Sequence, residues 1–131
     1  MFKNLFGSGS DKKSTKSIPW ETLQTAAQFG ELIASSQKQP VLIFKHSTRC
    51  AVSTSVLARL EQSWEAEEMK GIKPYFLDLI RFREVSNLVA EKLKIPHESP
   101  QVILVLNGEA FYEDSHYGII YEEIKAALAN A

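Results

Sequence analysis

Cysteine is nearly missing from this sequence: Cys50 is the only one among 131 residues. A single thiol cannot close an intramolecular disulfide, so the fold is not stapled by oxidation, and a reducing, cytoplasmic setting is expected. Zinc-ligand spacing is missing too, because one cysteine and three scattered histidines make no paired ligand set, and no metal is expected. No apolar run approaches the roughly 20 residues that a membrane span needs. The start, Met1 to Phe6, is shorter than the roughly 7–15 apolar residues of a signal peptide. Charge of one sign is also lacking: the net charge is −1 with both signs mixed, which gives no electrostatic case for nucleic-acid binding. There is no glycine-rich phosphate loop and no separated carboxylate pair suited to acid/base work.

What is present describes one globular domain. The hydrophobic share of 44% and charged share of 24% fit a folded chain with a core of ordinary size. Residues 1–17 read as a flexible tail, since Gly7-Ser8-Gly9-Ser10 is linker composition and the lysine-rich stretch after it has nothing to bury. Residues 18–131 form the domain. A short edge strand is expected between Trp20 and Leu23. Thr25-Ala26-Ala27-Gln28 has the spacing of a capping box and opens a helix near 25–36. The continuous apolar run Val41 to Phe44 predicts a central strand at 41–45 covered on both faces. Val52, Val56, Leu57, Leu60 and Trp64 fall at helical spacing, predicting a long helix over 50–69 that ends at Gly71.

A second strand lies within 73–80, parallel to the first because a helix separates them. A helix at 82–93 turns Val85, Leu88, Val89 and Leu93 inward. The strand 101–106 then meets Asn107-Gly108, a strong two-residue hairpin signal, and returns over 109–113. A last helix at 117–129 puts Ile120, Ile124, Ala127 and Leu128 against the sheet. The order is (β)α–βα–βα–ββα: an α/β fold with a mixed four- to five-stranded sheet and helices on both faces.

Cys50 falls where the central strand gives way to a helix. Unpaired N–H groups and the positive end of the helix dipole favour a thiolate there, and the thiolate is the nucleophilic form of cysteine. Arg49, His46 and Lys45 add positive charge nearby. Ser53, one helical turn on, could donate its hydroxyl to the sulfur without adding a second redox centre. A lone cysteine is often only a small core residue, but the polar His46-Ser47-Thr48-Arg49 before it argues against simple core filling. Ser99-Pro100, directly before the strand 101–106, is a candidate cis-proline step. Pro96 lies at a helix exit, where an ordinary trans proline is expected.

These pieces resemble thioredoxin: the element order, a Cys-X-X-X motif at a strand-to-helix turn, and X-Pro before an antiparallel hairpin. The resemblance implies a three-layer fold in which Cys50 is the nucleophile, Pro100 the cis-proline facing it, and Ser99 the residue whose backbone pairs with an extended substrate. Ser53 then stands where a dithiol enzyme has its resolving cysteine. The run Phe44-Lys45-His46-Ser47-Thr48-Arg49-Cys50 with Ser53, and Trp20 and Leu23 upstream, is similar to the monothiol bacilliredoxin-like YtxJ family of bacteria from about Trp20 onward. Members of that family commonly carry proline after the cysteine, where this chain has Ala51.

The resemblance implies monothiol thiol–disulfide exchange on client proteins that carry mixed disulfides with a low-molecular-weight thiol. Bacillithiol is the expected co-substrate, and no bound cofactor is implied. Lys45, His46, Thr48 and Arg49 are the candidate substrate-binding residues, the cations suited to carboxylates of the small thiol. His97 and His116 read as ordinary loop histidines. Three other classes share parts of the pattern. A monothiol glutaredoxin-like protein could bridge an iron–sulfur cluster, but one cysteine per chain then requires a dimer and external thiols. A glutaredoxin-type arsenate reductase would want arginines near Pro100, where Ser99 stands. A non-catalytic module could dock an extended peptide by strand pairing.

Overall fold

The computed structural model describes residues 18–131. The expected tail, 1–17, lies outside the described residues. The chain runs β1 (Glu21–Thr22), α1 (Ala26–Ser35), β2 (Val41–His46), α2 (Ala51–Ser63), β3 (Lys73–Asp78), α3 (Arg83–Leu93), β4 (Gln101–Leu106), β5 (Glu109–Ser115) and α4 (Tyr121–Ala129). The five strands form one sheet in the order β1-β3-β2-β4-β5. β1, β3 and β2 are mutually parallel, β4 runs antiparallel to β2, and β5 antiparallel to β4. This is the mixed α/β sheet that the element order predicts.

Val41 to Phe44 are wholly buried because β2 is central and both its faces are covered. Side chains alternate along a strand. Leu42 and Phe44 therefore join Val56, Leu60, Val102 and Ile124 in one core, beneath α2 and α4. Val41 and Ile43 join Phe29, Leu32, Val89 and Ile103 in the other, beneath α1 and α3. Each such buried side chain stabilises the fold by about 1.5–3 kcal/mol relative to exposure.

Local sequence explains several boundaries. The Thr25 hydroxyl accepts from Gln28 N at 3.1 Å, and the Gln28 side chain accepts from Thr25 N at 3.2 Å, completing the capping box. Asn107 (φ 55°) and Gly108 (φ 76°) both take the left-handed conformation, which a two-residue turn of the mirror-image type requires. That turn docks on the end of α1, where Asn107 N donates to Ser36 O at 2.7 Å and Gly108 N to Ser36 Oγ at 2.9 Å.

Two helices are shorter than their apolar spacing predicts. α2 ends at Ser63, not near 69, because Trp64 leaves helical geometry (ψ 125°) to pack edge-on against Tyr121, 6.0 Å between ring centres. Continuing the helix would carry the stripe onto Glu67 and Glu68. A turn instead lets Met69 and Ile72 return to the core, so Gly71 closes that turn rather than the helix. α4 begins at Tyr121 rather than 117, after a 3-10 turn at His116–Gly118. Ile119 takes the buried place, and Ile120 is left exposed at the helix cap. At the edge, β1 is only two residues long. β5 reaches Ser115, two residues past the expected end, with a bulge that leaves Phe111 outside the register.

Candidate thiol site

The site gathers where β2 ends. Lys45 pairs with Gln101 across the antiparallel neighbour, so the loop leaving β2 toward Cys50 and the segment entering β4 through Pro100 meet at the same end of the sheet. Cys50 is the N-cap of α2, with extended backbone (φ −118°, ψ 116°). Its carbonyl accepts from Thr54 N at 3.2 Å, and its N–H donates to Ser47 O at 3.2 Å. Cys50 is half-buried at the helix mouth, and its side chain makes no capping bond. Thr48 and Arg49 are exposed on the same turn. That turn is held by Arg49 N donating to Ser47 Oγ at 3.2 Å.

Pro100 is buried, and the Ser99–Pro100 peptide bond is cis. The Pro100 carbonyl accepts from His116 N at 3.0 Å, which ties the 3-10 turn to this segment. Beside it, His116 Nε2 lies 3.4 Å from the Glu98 carboxylate. Among the described residues the backbone N–H and C=O of Ser99 have no hydrogen-bond partner. Such groups at a strand start can pair with an added extended chain.

Ser53 does not serve the sulfur in the way its spacing suggests. It is fully buried, and its Oγ lies 2.7 Å from His46 Nδ1 and accepts from Ser47 N at 3.1 Å. The hydroxyl thus fastens the first turn of α2 to the end of β2. His46 is accordingly a buried structural partner, not an open contact for substrate. Its ring lies 5.4 Å from that of Phe76 and 6.3 Å from that of Phe44. Trp20 packs against both phenylalanines and donates from Nε1 to Glu61 at 3.2 Å. Burial pushes the His46 imidazole below its ordinary pKa, partly offset by the Asp78 and Glu61 carboxylates.

Lys45 departs furthest from expectation. It is fully buried on the opposite face of the sheet, so it cannot meet a small molecule beside Cys50. Its Nζ donates to Ser86 O in α3 at 3.2 Å and lies 3.2 Å from His97 Nδ1. Burial, and then the Arg83 charge, lower its pKa to about 8. Of the four side chains expected to contact substrate (Ser99 being expected to do so by its backbone), the structure therefore exposes only Thr48 and Arg49 next to Cys50. His97, read from sequence as an ordinary loop residue, proves to be the partner of this lysine. Strand alternation alone separates Lys45 from His46, but nothing local points Lys45 at His97, 52 positions away. Among the described residues no group of three acidic, histidine or cysteine side chains could hold a metal.

Comparison with known proteins agrees with this geometry. A family model described as monothiol bacilliredoxin BrxC matches residues 21–124. A solved structure described as a candidate oxidoreductase with a thioredoxin fold superposes with a TM-score of 0.69 at 26% identity, covering 81% of this chain and 90% of that one. Thioredoxin of Malassezia sympodialis superposes with a TM-score of 0.67 at 14% identity, covering 85% of this chain and 89% of that one. Thioredoxin of Fasciola hepatica gives 0.64 at 15% identity, covering 84% and 97%. The last two establish the fold alone. With its single half-open cysteine at the mouth of a helix, the chain belongs to the monothiol bacilliredoxin family and is a thiol redox protein of thioredoxin fold.

Proposed function

We propose that the protein removes a low-molecular-weight thiol, of bacillithiol type, from client proteins by monothiol exchange through Cys50. The Cys50 thiolate attacks the small-thiol sulfur of a client mixed disulfide. A new disulfide forms between Cys50 and the small thiol, the old sulfur–sulfur bond breaks, and the client leaves as a thiolate that takes a proton from water. This step exchanges one disulfide for another without net oxidation. A second small thiol then attacks the Cys50 adduct, freeing Cys50 and leaving the two small thiols joined as a disulfide; a separate reductase could do the same work.

The observation that carries this reading is the placement of the only cysteine, half-open at the start of α2, at the sheet end that also holds Pro100. In support, Ser99 offers unpaired backbone groups for an extended client segment, and Arg49 is exposed next to the thiol for carboxylates of the small molecule. A cytoplasmic site of action is part of this proposal; no helix among the described residues is long and apolar enough to cross a membrane.

The test is transfer from a bacillithiolated client followed by intact mass. The wild-type protein should release reduced client and carry the small thiol on Cys50, whereas Cys50→Ser should fall to the uncatalysed rate. Equal rates for the two proteins would reject exchange, and full client binding by Cys50→Ala together with no measurable exchange by the wild-type protein would favour a docking module.

A further inference from the structure

The buried lysine has no part in the exchange chemistry, yet it sits beneath the segment that presents Ser99 and Pro100. Its ammonium has two polar partners, Ser86 O and His97 Nδ1. Among the described residues no carboxylate lies within ion-pair distance of it. Burying an ammonium without a counter-ion costs stability, and an apolar side chain of equal length would avoid that cost. The use of the charge is therefore to be sought in what it holds. Its cross-strand neighbour Gln101, also fully buried, donates from Nε2 to Pro96 O at 3.0 Å and to Glu113 at 3.3 Å. The connection between α3 and β4 is thus gripped from the same face of the sheet at two successive residues, Pro96 by Gln101 and His97 by Lys45.

We propose that Lys45 is a positioning residue of the thiol site: by bridging α3 to His97 it fixes the connection that presents the Ser99 backbone and Pro100 to an extended client. This rests on the exchange reading above. The bridge needs His97 neutral, with its proton on Nε2, so that Nδ1 can accept. Burial, together with the Lys45 and Arg83 charges, favours that neutral form, against the opposing pull of Glu98. Of the other elements packed around the pair, β3 presents the apolar Leu77 in register with Lys45, and β5 contributes Glu113 through Gln101. Protonating His97 removes the acceptor and sets two cations 3.2 Å apart, so the bridge opens in acid.

The test uses the full chain and three variants. His97→Leu removes the acceptor from an exposed residue, His97→Asn keeps an acceptor at a similar place and does not titrate, and Lys45→Met removes the donor. The probe is a peptide in mixed disulfide with bacillithiol, with iodoacetamide as a control that needs no backbone pairing. His97→Leu and Lys45→Met should slow peptide exchange about tenfold, the factor for one hydrogen bond to a charged group, with alkylation of Cys50 within about twofold and His97→Asn near wild type. The ratio of wild-type to His97→Asn rates should fall as pH drops below the ordinary histidine value of 6.5. Amide hydrogen exchange over residues 97–101 should quicken in the two slow variants only. Peptide exchange by His97→Leu at the wild-type rate, or His97→Asn as slow as His97→Leu, would overturn the proposal. If the wild-type protein exchanges nothing, the thiol reading fails by itself and amide protection decides the bridge, with unchanged protection in Lys45→Met counting against it.

Discussion

Lys45 and His46 are neighbours in one strand, both buried, both basic, and they do opposite things. His46 faces α2, where its ring lies beside those of Phe44 and Phe76, and it meets a hydroxyl on the first turn of the helix that carries Cys50. Lys45 faces α3, where it meets a backbone carbonyl and a histidine of the connection leading to Pro100. One strand end therefore braces the helix that carries Cys50 on one face of the sheet and the connection that leads to Pro100 on the other. The comparison also separates two energetic regimes. A neutral hydroxyl–imidazole contact is inexpensive to bury, whereas an ammonium without a carboxylate is not.

The largest stability effect is expected on the His46 face. Ser53→Ala strands the buried N–H of Ser47 and the Nδ1 of His46, at a cost of about 1–3 kcal/mol in urea unfolding. The opposite face should respond in the opposite sense. Lys45→Met is expected to unfold at pH 7 with stability equal to or up to about 2 kcal/mol above wild type, since a desolvated charge is removed. The pH dependence sharpens this. The folded-state value of Lys45 is about 8 against 10.5 when unfolded, so between those values the unfolded chain holds more protons. Wild-type stability, measured relative to Lys45→Met, should thus be lowest below pH 8, rise with pH from 8 to 10.5, and level off above. A flat difference across that window would remove the distinction between the faces.

On the acid side the two faces converge. His46 and His97 are both held below the ordinary value of 6.5, chiefly by burial. Stability from their neutral forms is complete above 6.5 and is lost as pH falls through the lower folded-state values. His97→Asn should remove the α3-side share of that decline and leave the His46 share, which thermal unfolding at pH 7 and pH 5 would read. The smallest effect is expected for Ser86→Ala, below about 1 kcal/mol, because Lys45 uses the Ser86 carbonyl and the hydroxyl lies a long 3.5 Å from His97.

Much of the fold was legible from local signals. The capping box at Thr25 to Gln28, the apolar run Val41 to Phe44 and the Asn107-Gly108 turn each appear where short-range chemistry puts them. Their geometry is set by residues within a few positions. The errors share a cause as well. Helix spacing past Trp64 continues into a charged stretch, and only the presence of Tyr121 beside Trp64 explains why the chain leaves the helix there. At the site, charge near Cys50 in sequence is not all near it in space: of Lys45, His46 and Arg49, strand alternation sends Lys45 to the opposite face.

By itself the sequence determined where the one thiol stands, at a strand-to-helix step, and that Pro100 opens the next buried strand. Tertiary structure alone decided which cations stand near the sulfur and what Ser53 and Lys45 hold. Those partners are brought together by sheet pairing and by packing helices on opposite faces, so each depends on contacts between residues far apart in the chain. No spacing within a single element encodes them.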